Sequence, residues 1–125
     1  MCSFMNHILV VDDEKGIRLL LQEFLKKEGY MPIVAANGDE ALDAMKKYIF
    51  SCALLDMRMP GMSGLEVLAA LKQIDATLPV IMMTAYGERQ LIEQANELGV
   101  THYFMKPFSI LEVRDVLRQI LRQEL

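Results

Sequence analysis

Five short apolar runs alternate with five amphipathic patterns along this 125-residue chain, and few folds accept that order. The runs are His7-Ile8-Leu9-Val10-Val11, Met31-Pro32-Ile33-Val34-Ala35-Ala36, Cys52-Ala53-Leu54-Leu55-Asp56, Leu78-Pro79-Val80-Ile81-Met82-Met83 and Val100-Thr101-His102-Tyr103-Phe104-Met105. Short apolar runs with little charge suit strands covered on both faces of a sheet. Between them, apolar residues return at helical spacing. Ile17, Leu20, Leu21, Phe24 and Leu25 form the first such stripe, and Ala41, Leu42 and Met45 the second. Leu68 and Leu71 mark the third, Leu91, Ile92, Ala95 and Leu98 the fourth, and Val113, Val116, Leu117, Ile120 and Leu121 the last. Strict strand–helix alternation with short connections implies an α/β fold: a doubly wound, five-stranded parallel sheet with helices on both faces. The pattern leaves strand order open, 2-1-3-4-5 being one of the two common solutions.

The punctuation agrees with this division. Asn37 with Glu40, Ser63 with Glu66 and Ser109 with Glu112 have the spacing of a capping box, in which side chain and backbone satisfy each other at a helix start. Gly29 and Gly99 stand where the first and fourth helices must stop. Pro32 cannot donate to a sheet ladder, which puts the second strand at an edge or confines the proline to its start. Pro60-Gly61 ends the third strand in a turn.

In a parallel sheet all carboxyl ends share one rim, the side on which such folds bind ligands. Asp12 and Asp13 after the first strand, Asp56 at the end of the third, Thr84 after the fourth and Lys106 after the fifth are thereby expected together. Each also has an ordinary reading alone: Asp12-Asp13 as a helix cap with a first-turn acid, Thr84 as a strand-finishing β-branched residue, Lys106 as a solvated loop lysine. Asp56 resists one, because it directly ends an apolar strand. Three carboxylates gathered at one rim repel by about 4 kcal/mol per pair at about 4 Å and an effective dielectric near 20. Lys106 supplies one positive charge, and a divalent cation would balance the rest. All-oxygen ligation by few protein groups suits Mg²⁺, with Mn²⁺ as a substitute. A carboxylate beside a metal, a lysine and a hydroxyl is equipped to accept a phosphoryl group, with Asp56 as the nucleophile.

Bulk properties exclude several alternatives. A hydrophobic share of 53% with 24% charged residues is that of a globular domain, and the formal net charge of −4 argues against a nucleic-acid surface. No apolar run approaches the roughly 20 residues of a membrane span, and the first residues lack the order of a secretory signal. Cys2 and Cys52 form no paired or zinc-binding pattern, which suits a reducing cytoplasm. Of the ten methionines, Met57, Met59, Met62, Met82, Met83 and Met105 fall near strand ends, where they are expected to fill irregular gaps.

Taken together, these residues resemble the receiver domain of two-component response regulators. The resemblance rests on Asp12-Asp13, on Asp56 in Leu54-Leu55-Asp56-Met57-Arg58-Met59-Pro60-Gly61, on Thr84 in Met83-Thr84-Ala85-Tyr86-Gly87, and on Lys106-Pro107-Phe108. It spans essentially the whole chain, residues 1–125 with a core of about 6–124. Gly16-Ile17-Arg18 after the acidic pair points to single-domain phosphorelay receivers of the sporulation type, with receivers of nitrogen-regulator type next. The resemblance implies strand order 2-1-3-4-5, the flavodoxin-like arrangement. It implies Mg²⁺ held by Asp12 or Asp13, Asp56 and the Arg58 main-chain carbonyl, and phosphate taken by Asp56 from a histidine of a sensor kinase or phosphotransfer protein. It further implies that Lys106 pairs with a phosphoryl oxygen, that Lys106-Pro107 is cis, and that Thr84 and Tyr103 move as a switch. Arg58 and Tyr86 occupy positions that tune phosphate lifetime, and both are large here. Ile17, Pro107 and Phe108 are candidates for docking the histidine-bearing partner, with Ile17 equally suited to the core. The fourth helix, fifth strand and last helix form a candidate homodimer face.

The function expected is therefore signalling without turnover of a separate substrate, beyond the domain's own phosphorylation and dephosphorylation. An Mg²⁺-dependent phosphatase using an aspartyl phosphate is the alternative from another class, but such enzymes place Asp-x-Asp on the first strand and carry a cap domain. A scaffold pseudo-receiver would have lost rim residues, and none is lost. The last helix ends close to Leu125, a length that suits both a stand-alone receiver and one taken from a longer regulator.

Overall fold

The computed structural model describes residues 6–85 and 88–122. Cys2, Tyr86 and Gly87 lie outside them. The elements are β1 (His7–Val11), α1 (Lys15–Lys27), β2 (Met31–Ala35), α2 (Gly38–Lys47), β3 (Cys52–Asp56), α3 (Gly64–Ile74), β4 (Val80–Thr84), α4 (Arg89–Glu97), β5 (His102–Met105) and α5 (Ile110–Arg122). All four strand pairings are parallel and the order is β2-β1-β3-β4-β5. The doubly wound expectation and the order implied by the resemblance both hold. Pro32 lies in the edge strand β2, as its missing donor requires.

Alternation along each strand feeds two cores. Leu9, Val11, Ala53, Leu55, Val80 and Met82 face one side and are covered by Ala41, Ala44, Val67, Leu68, Leu71 and Ala95 of α2, α3 and α4. Ile8, Val10, Cys52, Leu54, Ile81 and Met83 face the other, under Leu21, Leu25, Val113, Leu117 and Leu121 of α1 and α5. Every residue of β3 and β4 is buried, so these strands read as unbroken apolar runs, whereas the edge strand β5 buries only Phe104.

Four strand boundaries and two helix positions differ from the sequence reading, the first being the end of β4, which takes in Thr84 through its pairing with Met105. β2 ends at Ala35, one residue early, because the Ala36 N–H is taken by the Glu40 side chain (2.7 Å). β4 starts at Val80 because the Leu78 N–H closes a turn on the Asp75 carbonyl (3.2 Å). β5 starts at His102, since the Val100 N–H caps α4 by bonding the Ala95 carbonyl (3.0 Å) around Gly99 at φ 91°. Gly29 (φ 92°) ends α1 in the same way, with the Tyr30 N–H on the Leu25 carbonyl (2.9 Å). Leu20 is 48% exposed, not buried: the packed stripe of α1 is Ile17, Leu21, Phe24 and Leu25, and Leu20 falls on its rim beside Leu19 and Ile110. Leu98, the C-cap of α4, is also exposed. Of the six strand-end methionines, Met57, Met82 and Met83 are buried and Met59 and Met62 pack on the core, while Met105, on the edge strand, is exposed.

The capping boxes place the loops that carry the site. Ser63 and Glu66 form a complete box at the start of α3. At α2, Asn37 accepts from the Glu40 N–H (2.9 Å), while Glu40 reaches one residue further back than a capping box requires, to Ala36. Ser109 and Glu112 exchange their contacts loosely, Glu112 accepting from the Ser109 N–H at 3.4 Å and Ser109 from the Leu111 N–H at 3.1 Å.

Candidate functional site

β1 and β3 are neighbours whose following helices, α1 and α3, pack on opposite faces of the sheet. Their carboxyl ends therefore border a crevice, the position at which open α/β sheets hold ligands. Asp12, fully buried, follows β1, and Asp56, 5% exposed, ends β3. The Asp12 N–H is fixed on the Ala35 carbonyl (3.1 Å), its Oδ1 accepts from the Glu14 N–H (2.8 Å), and its carbonyl accepts from the Arg18 guanidinium (2.7 Å). Beyond Asp56, the Met57 N–H continues the ladder to the Met83 carbonyl (2.8 Å), and the Gly64 N–H closes the β3–α3 loop on the Met57 carbonyl (2.9 Å). Gly64 must be glycine: a Cβ there would lie 2.6 Å from the Met57 carbonyl oxygen and nearer still to that of Asp56. The start of α3 thus presses on the backbone that carries Asp56, a constraint not apparent in Ser63-Gly64-Leu65 as a string.

Asp12, Asp13 and Asp56 each bring one carboxylate oxygen within 4.8 Å of the others. The Lys106 ammonium lies 3.1 Å from Asp12, 3.2 Å from Asp56 and 3.3 Å from Glu14. Nothing in the sequence marks Glu14, yet its position two residues past Asp12 brings it to the same ammonium. One ammonium thus pairs with three carboxylates while Asp13 stands beside them as a fourth, and the site is short of positive charge. Burial pushes the Asp56 carboxyl up to about 6, helped by the Asp12 charge, with Lys106 opposing both. Burial alone would lower Lys106, but the Asp56 and Asp12 charges outweigh it and raise the ammonium above its usual value. Three hard oxygen donors in a site deficient in positive charge fit a small divalent cation. The Lys106-Pro107 peptide is cis, as the resemblance implied.

Thr84 ends β4 and is fully buried. Its hydroxyl donates to Glu88 (2.7 Å), a 7% exposed carboxylate that also accepts the Ala85 N–H (2.7 Å) and ion-pairs with the Arg58 guanidinium. Arg58 leaves the β3–α3 loop with its side chain 73% exposed. Nothing in the sequence singles out Glu88, because a lone glutamate before a helix has the pattern of a solvated first-turn acid. Tyr103 is exposed on edge strand β5, its ring stacked with His102 at 6.3 Å. Tyr86 lies outside the described residues. Of the docking candidates, Ile17 and Phe108 are half-buried against the α1–α5 core and Pro107 is exposed. The sequence thus brought Asp12, Asp13, Asp56 and Lys106 correctly to one cluster, with Thr84 at the same rim but bonded elsewhere.

Residues 8–121 match the family described as the response regulator receiver domain. The chain is 50% identical over 114 residues to sporulation initiation phosphotransferase F of Bacillus subtilis (strain 168), covering 91% of this chain and 92% of that protein. It is 43% identical over 116 residues to transcriptional regulatory protein ResD of the same organism, covering 93% here and 48% there, so it spans about half the length of that relative. A solved CheY-like receiver domain protein from Methanospirillum hungatei JF-1 superposes with a TM-score of 0.90 at 28% identity, covering 97% of this chain and 98% of that one.

Proposed function

The chain belongs to the response regulator receiver family of two-component signalling, and we propose on that footing that Asp56 is its phosphoacceptor. One observation carries this: Asp56 is a buried strand-end carboxylate grouped with Asp12 and Asp13 and 3.2 Å from the Lys106 ammonium. A histidine of a sensor kinase or phosphotransfer protein gives up its phosphoryl group, the N–P bond breaking as an Asp56 Oδ–P bond forms, and the electron pair returns to the imidazole nitrogen. Asp12, Asp13, Asp56 and the main-chain carbonyl of Arg58 would hold Mg²⁺ or Mn²⁺. The metal, when bound, supplies charge that offsets the transferring phosphoryl oxygens. Lys106 neutralises a further phosphoryl oxygen, and the buried Thr84 hydroxyl donates to another once Asp56 is loaded. Tyr103 then leaves its exposed position, completing a two-state switch that phosphate biases.

Arg58 and Tyr86 set how long the phosphoryl group survives attack by water, and Ile17, Pro107 and Phe108 contribute to the surface that receives the histidine-bearing partner. The exposed Leu98, Tyr103 and Met105 support a homodimer through α4, β5 and α5. No helix among the described residues is long and apolar enough to cross a membrane. A cytoplasmic location goes with this reading, since the spacing of Cys2 and Cys52 in the sequence matches neither a disulfide framework nor a zinc-binding pattern. No separate substrate is turned over; the chemistry is the domain's own phosphorylation and dephosphorylation.

Incubation with acetyl phosphate and Mg²⁺, followed by intact-mass measurement, tests the reading. One added phosphoryl group in the wild type and none in Asp56→Asn is the expected result. Equal labelling of both proteins, or steady hydrolysis of unrelated phosphate esters, would overturn it.

A further inference from the structure

Glu88 is a buried carboxylate outside the cluster that fits a metal, and nothing in phosphoryl acceptance as described requires it. A buried carboxylate is costly unless paired and hydrogen-bonded. This one is satisfied twice at Oε1, by the Thr84 hydroxyl and the Ala85 N–H, both at 2.7 Å, and at Oε2 by the Arg58 guanidinium. It is also the N-cap residue of α4, yet its side chain makes no cap hydrogen bond to its own helix, unlike Asn37 at α2 and Ser63 at α3. The carboxylate is turned inward instead. It ties together the end of β4, the loop after β3 and the start of α4.

Thr84 has one hydroxyl proton. A hydroxyl that donates to Glu88 cannot at the same moment donate to a phosphoryl oxygen on Asp56. We propose that Glu88 is a positioning residue that withholds the Thr84 hydroxyl from the phosphoacceptor, so that Glu88 and the phosphoryl group compete for a single proton. This rests on the reading of Asp56 as phosphoacceptor and adds a second acceptor to it. The exchange strands no buried charge. When Thr84 leaves, Glu88 keeps the Ala85 N–H and Arg58, and Arg58 is exposed enough to follow it. Loading of Asp56 is therefore opposed by one charge-assisted hydrogen bond, and removing that bond favours loading by roughly tenfold.

The test is titration with beryllofluoride, a stable phosphoryl mimic, in the presence of Mg²⁺, followed by two-dimensional NMR. Wild type, Glu88→Ala, Glu88→Gln, Thr84→Ala and the two double variants are compared. Glu88→Ala is expected to lower the half-saturating concentration roughly tenfold, and Glu88→Gln by about threefold, because the amide oxygen still accepts from Thr84 without the charge. In the Thr84→Ala background both substitutions are expected to change nothing, an outcome that a purely structural role for Glu88 would not produce. Should Glu88→Ala fail to fold, the Glu88→Gln pair decides alone. An unchanged or raised half-saturation in the Glu88 variants overturns the proposal, as does the same fold-change with and without Thr84. Saturation of Asp56→Asn, run in parallel, would instead overturn the phosphoacceptor reading.

Discussion

The ends of β4 and β5 both contribute to the rim around Asp56, but they hold their functional groups in opposite ways. Lys106 comes from β5, two strands away from β3, yet its ammonium already lies 3.2 Å from Asp56. Thr84 comes from β4, the strand beside β3, yet its hydroxyl is bonded to Glu88. A long cation is drawn across the sheet by uncompensated carboxylates, whereas a short neutral hydroxyl goes to the nearest good acceptor. The charge side of the site is already gathered around Asp56, whereas the hydroxyl side is bonded to Glu88. Under the proposed function, the first side would govern whether phosphate can be accepted, and the second what acceptance changes.

The most damaging way to disturb both sides is to move the backbone they share. Gly64→Ala drives a methyl group into the carbonyls of Asp56 and Met57, which are backbone and cannot step aside. It is expected to cost about 3 kcal/mol of unfolding free energy by urea denaturation, and to abolish phosphorylation by acetyl phosphate in whatever protein stays folded. Lys106→Met isolates the charge side. Stripping the ammonium from Asp12 and Asp56 is expected to cost about 2 kcal/mol in metal-free buffer, less than for a fully buried pair because Lys106 is 20% exposed. Added Mg²⁺ should recover much of that loss, since it supplies the missing charge.

The pH dependence of the metal-free protein sharpens the same point. The Asp56 carboxyl is raised from 3.8 to about 6, so between those values the folded protein binds more protons than the unfolded chain. Its contribution therefore falls as pH rises through about 4 to 6 and levels off above, the reverse of the usual salt-bridged aspartate. Asp56→Asn is expected to remove this slope and to stabilise the metal-free protein at pH 7 by about 1–2 kcal/mol, read from urea unfolding in EDTA. Thr84→Val, on the other side, is expected to cost about 1 kcal/mol with no dependence on Mg²⁺, because it removes one hydrogen bond and leaves Glu88 two partners. Equal Mg²⁺ rescue of Lys106→Met and Thr84→Val would erase the distinction between the two sides.

The contrast also marks what a sequence can convey. Periodicity exposes strands and helices directly, and once the sheet is parallel the topology alone gathers Asp12, Asp13, Asp56 and Lys106. Those residues are legible because their chemistry needs only the rim. Glu88 is not, since its inward turn shows only once Thr84, Ala85 and Arg58 stand around its carboxylate, and nothing in its sequence neighbours encodes a buried partner for Thr84. Gly64 is hidden for a related reason: a glycine at a helix start looks permissive until the opposing backbone is in place. The exposure of Leu20 arises from the rotation of α1 on the sheet, which a stripe of five apolar residues does not fix to within one position.

Asp56, rather than Asp12 or Asp13 beside it, is the residue proposed to carry the phosphoryl group. Borohydride reduces an aspartyl phosphate to homoserine, so reduction after acetyl phosphate treatment, followed by peptide mass mapping, reads the site directly. Homoserine at position 56, with aspartate intact at positions 12 and 13, is the result expected. Homoserine at position 12 or 13, or at none of the three after confirmed phosphorylation, would contradict that assignment.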